Sequence, residues 1–123
     1  MADYIPDRGD IILLNFFPSK GSELGKRRPA LVLSSRAYNE VIGQVICLPV
    51  SSQEKSRPAN VEVSGLDINP SFVIPGLIRT LDWQQRKAEY VKTVDNELYR
   101  EAIARLLPLI GAEVLLSPEG PQD

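Results

Sequence analysis

Lys26, Arg27 and Arg28 form a run of three cations that ends directly against Pro29 and the apolar stretch Ala30 to Leu33. An uninterrupted apolar stretch of this kind reads as a strand buried on both faces, and Pro29 is admissible at its first position because no ladder donor is needed there. Arg28 is thereby held at a rigid rim. The preceding segment, Ser19 to Lys26, carries Gly21 and Gly25 and little that could anchor a core, so it reads as a loop able to move over whatever that guanidinium touches. A second polar stretch, Pro49 to Gln53 ("PVSSQ"), leaves the strand "QVICLPVSS". Adjacent antiparallel strands bring the start of one beside the end of the next, which lets Arg28 approach Ser51 or Ser52. Two parallel donors from a guanidinium and a third from a hydroxyl make a phosphate clamp. The competing reading of the two serines is a polar turn.

Charge supports an anionic ligand. The net charge of the 123 residues is −2, yet Lys20 to Arg36 carries a local +4 and Asp95 to Asp123 a local −4. A basic patch on an otherwise acidic chain is what a polyanion site looks like. Histidine is absent, which removes imidazole-dependent serine and cysteine triads, His-ligated zinc and paired-imidazole RNA cleavage. The carboxylates show no ligand spacing, so neither metal nor cofactor is expected. Cys47, the single cysteine, lies within "VICLPV", where a small buried hydrophobe is expected rather than a nucleophile. No apolar run is long enough to span a bilayer and "MADYIPDRGD" lacks the features of a signal peptide, so the expected location is the cytoplasm, away from membranes.

The elements that would position these groups are mostly strands. "DIILLNFF" follows a turn at Asp7-Arg8-Gly9, "RRPALVLSS" and "QVICLPVSS" flank a short helical or turn segment stopped by Gly43, and "PANVEVSG" alternates with Val61 and Val63 on one side. "SFVIPGLIRTLDW" is a strand interrupted by a bend or bulge at Pro75-Gly76, and "KAEYVKTV" is the last strand. Asp95 reads as the N-cap of a helix from Glu97 to about Leu107 with Leu98, Ala102, Leu106, Ile103 and Leu107 as its apolar stripe. Strands with one late helix fit a mainly β protein, a small curved antiparallel barrel plus a C-terminal helix, in one domain over residues 1–123 with about 113–123 as a flexible tail.

The blocks "YIPDRGDI", "FFPSKGSELGKRRPALVLSS", Tyr38-Asn39, "PVSSQ" and "TLDW" together resemble the MazF/PemK family of toxin endoribonucleases over nearly the whole chain. The resemblance implies an SH3-like barrel, a homodimer, and metal-independent, sequence-specific cleavage of single-stranded RNA, mRNA foremost. It also implies a cognate MazE/PemI-like antitoxin and operator DNA bound by the toxin–antitoxin complex. The family's essential arginine and hydroxyl fall on Arg28 and Ser51, and its loop glutamate on Glu23. The 2′-OH would attack phosphorus to leave a 2′,3′-cyclic phosphate and a 5′-OH. Arg28 and Ser51 would meet the developing charge, and Glu23 would act either as base or as an ion-pair partner of Arg27 or Lys26.

RNA readers stack and hydrogen-bond unpaired bases, which nominates Phe17, Asn39 and Gln53, with Trp83 divided between that role and the core. Lys20, Lys26, Arg27, Ser52, Lys55, Arg79 and Arg86 complete the expected RNA surface. One departure stands out: many relatives carry a polar "A-D-Q" where this chain has Pro75-Gly76-Leu77. It keeps open a second reading, a weak or inactive MazF-like or CcdB-like binding protein acting through antitoxin, operator DNA or gyrase. The excess apolar residues Leu109, Ile110, Val114 and Leu115 support a two-fold partner under either reading.

Overall fold

The structure, a computed structural model, describes residues 4–16, 27–52, 58–67 and 70–116. Seven strands, β1 (Asp10–Asn15), β2 (Arg27–Val32), β3 (Gln44–Ser51), β4 (Val61–Val63), β5 (Ser71–Val73), β6 (Arg79–Asp82) and β7 (Glu89–Thr93), are joined by α1 (Arg36–Ile42) and followed by α2 (Asn96–Leu109). All pairings are antiparallel, in the order β4-β5-β3-β2-β1-β7, with β6 also on β3. The sheet curls without closing: no pairing among the described residues joins β7 to β4, so the expected barrel is a half-barrel.

The curl is built at β3. Its first half, Gln44 to Cys47, pairs with β6, and its last two residues, Val50 and Ser51, pair with β5. Pro49 sits at the handover, where it has no N–H for a ladder, while its carbonyl accepts from Ile74 N–H at 2.9 Å. The break expected at Pro75-Gly76 is a 3₁₀ turn, Pro75–Leu77, which carries the chain from β5 to β6 across that gap.

Both faces of the central strands are covered, as the run Ala30 to Leu33 implies. Ile11, Leu31 and Leu48 pack on one side with Val50, Val63 and Val73, against Ala102, Leu98 and Tyr99 of α2. Ile12, Ala30, Val32 and Cys47 pack on the other with Leu14, Leu81 and Trp83. Each such aliphatic side chain, removed from water, contributes roughly 1.5–3 kcal/mol. Trp83 is core: its Nε1–H donates to the Asn39 carbonyl at 2.9 Å. Burial pushes the Cys47 thiol up to about 12, against which Arg79 and Arg86 act only weakly, so it is held as the unreactive thiol.

Local signals set the helix ends. Ser35 caps α1, accepting from Tyr38 N–H, and Gly43 ends it in the left-handed conformation (φ 79°) that a side chain would strain. Asp95 caps α2, its Oδ1 accepting from Leu98 N–H at 2.8 Å. Pro108 lies inside the last turn of α2, and the chain closes that turn through Ile110 and Ala112 N–H groups donating to the Leu107 carbonyl. The segment expected as a tail opens on an exposed 3₁₀ turn, Glu113–Leu116, and residues 117–123 lie outside the described ones.

Candidate functional site

Ala30, Leu31 and Val32 of β2 pair with Pro49, Leu48 and Cys47 of β3. Continuing that register outward by two residues sets Arg28 opposite Ser51, and directly opposed residues of an antiparallel pair project from the same face. On its other side Arg28 is paired with Leu14 of β1. Both side chains line the same two depressions. One, of about 490 Å³, lies between the ends of β1, β2 and β3 and the β4–β5 connection, and includes Ser52, Leu66 and Asp67. The other, of about 520 Å³, is bounded by Phe16, Pro49, Ile74, Gly76, Leu77 and Arg79. Arg28, Val50 and Ser51 form the shared rim. The Pro75–Leu77 turn thus forms one wall of the second depression, which puts the departure from the family pattern beside the candidate site.

The two neighbouring arginines have opposite fates because consecutive strand residues face opposite ways. Arg27 turns toward the β1–β7 junction. Its guanidinium donates to Asn15 Oδ1 (3.2 Å) and to the carbonyls of Leu13 (3.0 Å), Arg86 (3.4 Å) and Lys87 (2.6 Å), and it pairs with Glu89 at 2.6 Å. Arg28 is half-buried and has no hydrogen-bond or ion-pair partner among the described residues. A guanidinium brought partly out of water and with no described residue engaging its donors suits an anion.

The remaining expectations divide. Ser52 joins Ser51 at the first depression, and Arg79 lies in the second, its guanidinium 5.5 Å from the centre of the Phe16 ring. Arg27 also lines the first depression, but its guanidinium is committed to the scaffold, so its part there is to hold the wall. Arg86 is tied up similarly, donating from Nη1 to the carbonyls of Asn15 and Phe16. Asn39 is corrected: it is 0 % exposed, donates to the carbonyls of Pro6 (2.7 Å) and Ser34 (3.2 Å), and accepts from the Ser34 hydroxyl. An amide so enclosed cannot meet a base. Phe17, Lys20, Glu23, Lys26, Gln53 and Lys55 lie outside the described residues. Asp67 was not singled out in the sequence. No motif marks it, and only the fold of the β4–β5 connection brings it to Arg28's side.

A family model described as "PemK-like, MazF-like toxin of type II toxin-antitoxin system" matches residues 7–110. The endoribonuclease toxin MazF of Escherichia coli (strain K12) is 36% identical over 111 residues, covering 90% of this chain and 99% of that protein. Among solved structures, MazF from Deinococcus radiodurans superposes with a TM-score of 0.76 at 39% identity, over 89% of this chain and 99% of that one. A MazE-MazF structure from the same organism gives 0.77 at 36% identity, over 90% and 100%.

Proposed function

The chain belongs to the PemK-like, MazF-like toxin family of type II toxin–antitoxin systems, and we propose that it is an endoribonuclease that cleaves single-stranded RNA, mRNA foremost, at specific sequences and without a metal. One observation carries this reading: the Arg28 guanidinium, without a partner among the described residues, stands opposite Ser51 on the rim of an open groove. A phosphodiester seated there has its nonbridging oxygens facing donors fixed by two buried strands. The ribose 2′-OH attacks the adjacent phosphorus and the bond to O5′ breaks, leaving a 2′,3′-cyclic phosphate and a 5′-OH. The 2′-OH proton passes to a base, for which Glu23 is the nominee, and O5′ takes a proton as it leaves. A guanidinium offers five N–H donors and no acceptor, so Arg28 serves as acid or as electrostatic partner to the pentacovalent phosphorus rather than as base.

Metal independence draws support from the sequence: histidine is absent, which removes His-ligated metal sites. No helix among the described residues is long and apolar enough to cross a membrane, and the proposed location is the cytoplasm. A homodimer is supported by the exposed Leu77, Ile78, Leu109, Ile110 and Leu115, which adjoin one another where the Pro75–Leu77 turn packs on α2 within the chain. MazE accompanies MazF in the Deinococcus structure, and a MazE/PemI-like antitoxin is proposed here as inhibitor, the pair together binding operator DNA.

The test is incubation of the purified chain with a long single-stranded RNA in EDTA, with the ends of the fragments characterised. Discrete cuts bearing 2′,3′-cyclic phosphates and 5′-OH groups are expected; cutting that requires added metal contradicts the mechanism. The position of Pro75–Leu77 on the groove wall favours one competing reading, a catalytically inert binding protein. Tight antitoxin binding without any RNA cleavage would establish it.

A further inference from the structure

We propose that the Asp67 carboxylate reads the base next to the scissile phosphate, selecting one that carries an exocyclic amino group. The proposal rests on the nuclease reading above and adds a specificity-determining residue to it. Arg28 and Ser51 sit on a ridge between two depressions, so a phosphate on the ridge sends the nucleoside on one side into each of them. The depression holding Asp67, at about 490 Å³, is within the roughly 300–1,000 Å³ of small-ligand sites and has room for a base. Its lining supplies the apolar surface a base plane packs on, from Leu13, Val50, Leu66 and Val91.

Asp67 is exposed and has no hydrogen-bond or ion-pair partner among the described residues. It lies on the β4–β5 connection, across from the strand ends that carry Arg28 and Ser51. An ionised carboxylate only accepts hydrogen bonds, so beside a base edge it favours the amino groups of cytosine, adenine or guanine and opposes the carbonyl edge of uracil. Among the described residues the second depression carries the Arg79 guanidinium and no carboxylate, whereas the first sets Asp67 across from Arg27 and Arg28, so the two sides of the cut present different chemistry.

The experiment profiles the cut sites of wild type, Asp67→Asn and Asp67→Glu on a random-sequence RNA library. Wild type is expected to disfavour uracil at one position adjoining the cut. Asp67→Asn, which adds donors, is expected to reduce that discrimination about tenfold at that position alone, and Asp67→Glu to retain its direction. An unchanged profile for Asp67→Asn overturns the assignment, as does a uniform loss of rate with the profile intact, which would place Asp67 in the chemistry instead. Absence of cutting by the wild-type chain would defeat the nuclease reading itself, a result distinct from either.

Discussion

Arg28→Ala is expected to slow RNA cleavage by roughly a hundred- to a thousand-fold, the usual cost of removing one preorganised donor from a developing oxyanion. The melting temperature should change little, because the Arg28 side chain has no partner among the described residues to leave behind. Arg28→Lys keeps the charge but not the planar pair of donors, and should restore only a small part of the rate. The adjacent Arg27→Ala should show the reverse pattern. It removes the donor shared by Asn15, Leu13 and Lys87 and costs on the order of 1–3 kcal/mol of stability, while cleavage at temperatures where the variant is folded persists. Single-turnover cleavage and thermal melting of the two variants side by side check this. Equal losses of rate with no change in melting would mean that both arginines serve the RNA.

The second large effect belongs to Asn39. Asn39→Ala removes an amide that satisfies the carbonyls of Pro6 and Ser34 and the Ser34 hydroxyl in a fully buried position. It thereby detaches α1 from the N-terminal segment and from the start of β3, whose Ile46 N–H donates to the same Ser34 hydroxyl. About 3 kcal/mol and a fall of roughly 10 °C in melting temperature are expected. Base preference in a cut-site profile should not move. A stable variant with an altered profile would return Asn39 to the RNA surface.

The contrast among these residues shows where local pattern stops being informative. The buried β2 run, the Gly43 stop, the Asp95 cap and the alternation of Val61 and Val63 are properties of a few neighbouring residues, and they reappear as β2, the end of α1, the start of α2 and β4. The Arg28–Ser51 juxtaposition follows from the antiparallel order of two consecutive strands. What separates Arg27 from Arg28 is different in kind. Both precede the same proline, and only the arrival of Glu89 and Lys87, some 60 positions away in sequence, commits the first to the scaffold. Asn39 is polar and lies in a short helix whose other residues are all exposed, so its composition suggests a surface contact; its enclosure depends on Pro6 and Trp83 folding over it. Asp67 carries no signal at all until the β4–β5 connection is placed.

A double-mutant cycle in single-turnover cleavage, comparing wild type, Arg28→Ala, Ser51→Ala and the pair, tests the clamp most directly. If both side chains grip one phosphate as it becomes pentacovalent, the losses are not multiplicative, and the double variant is scarcely slower than Arg28→Ala alone. Losses that multiply in full would show the two groups acting on separate parts of the RNA, and would contradict the account.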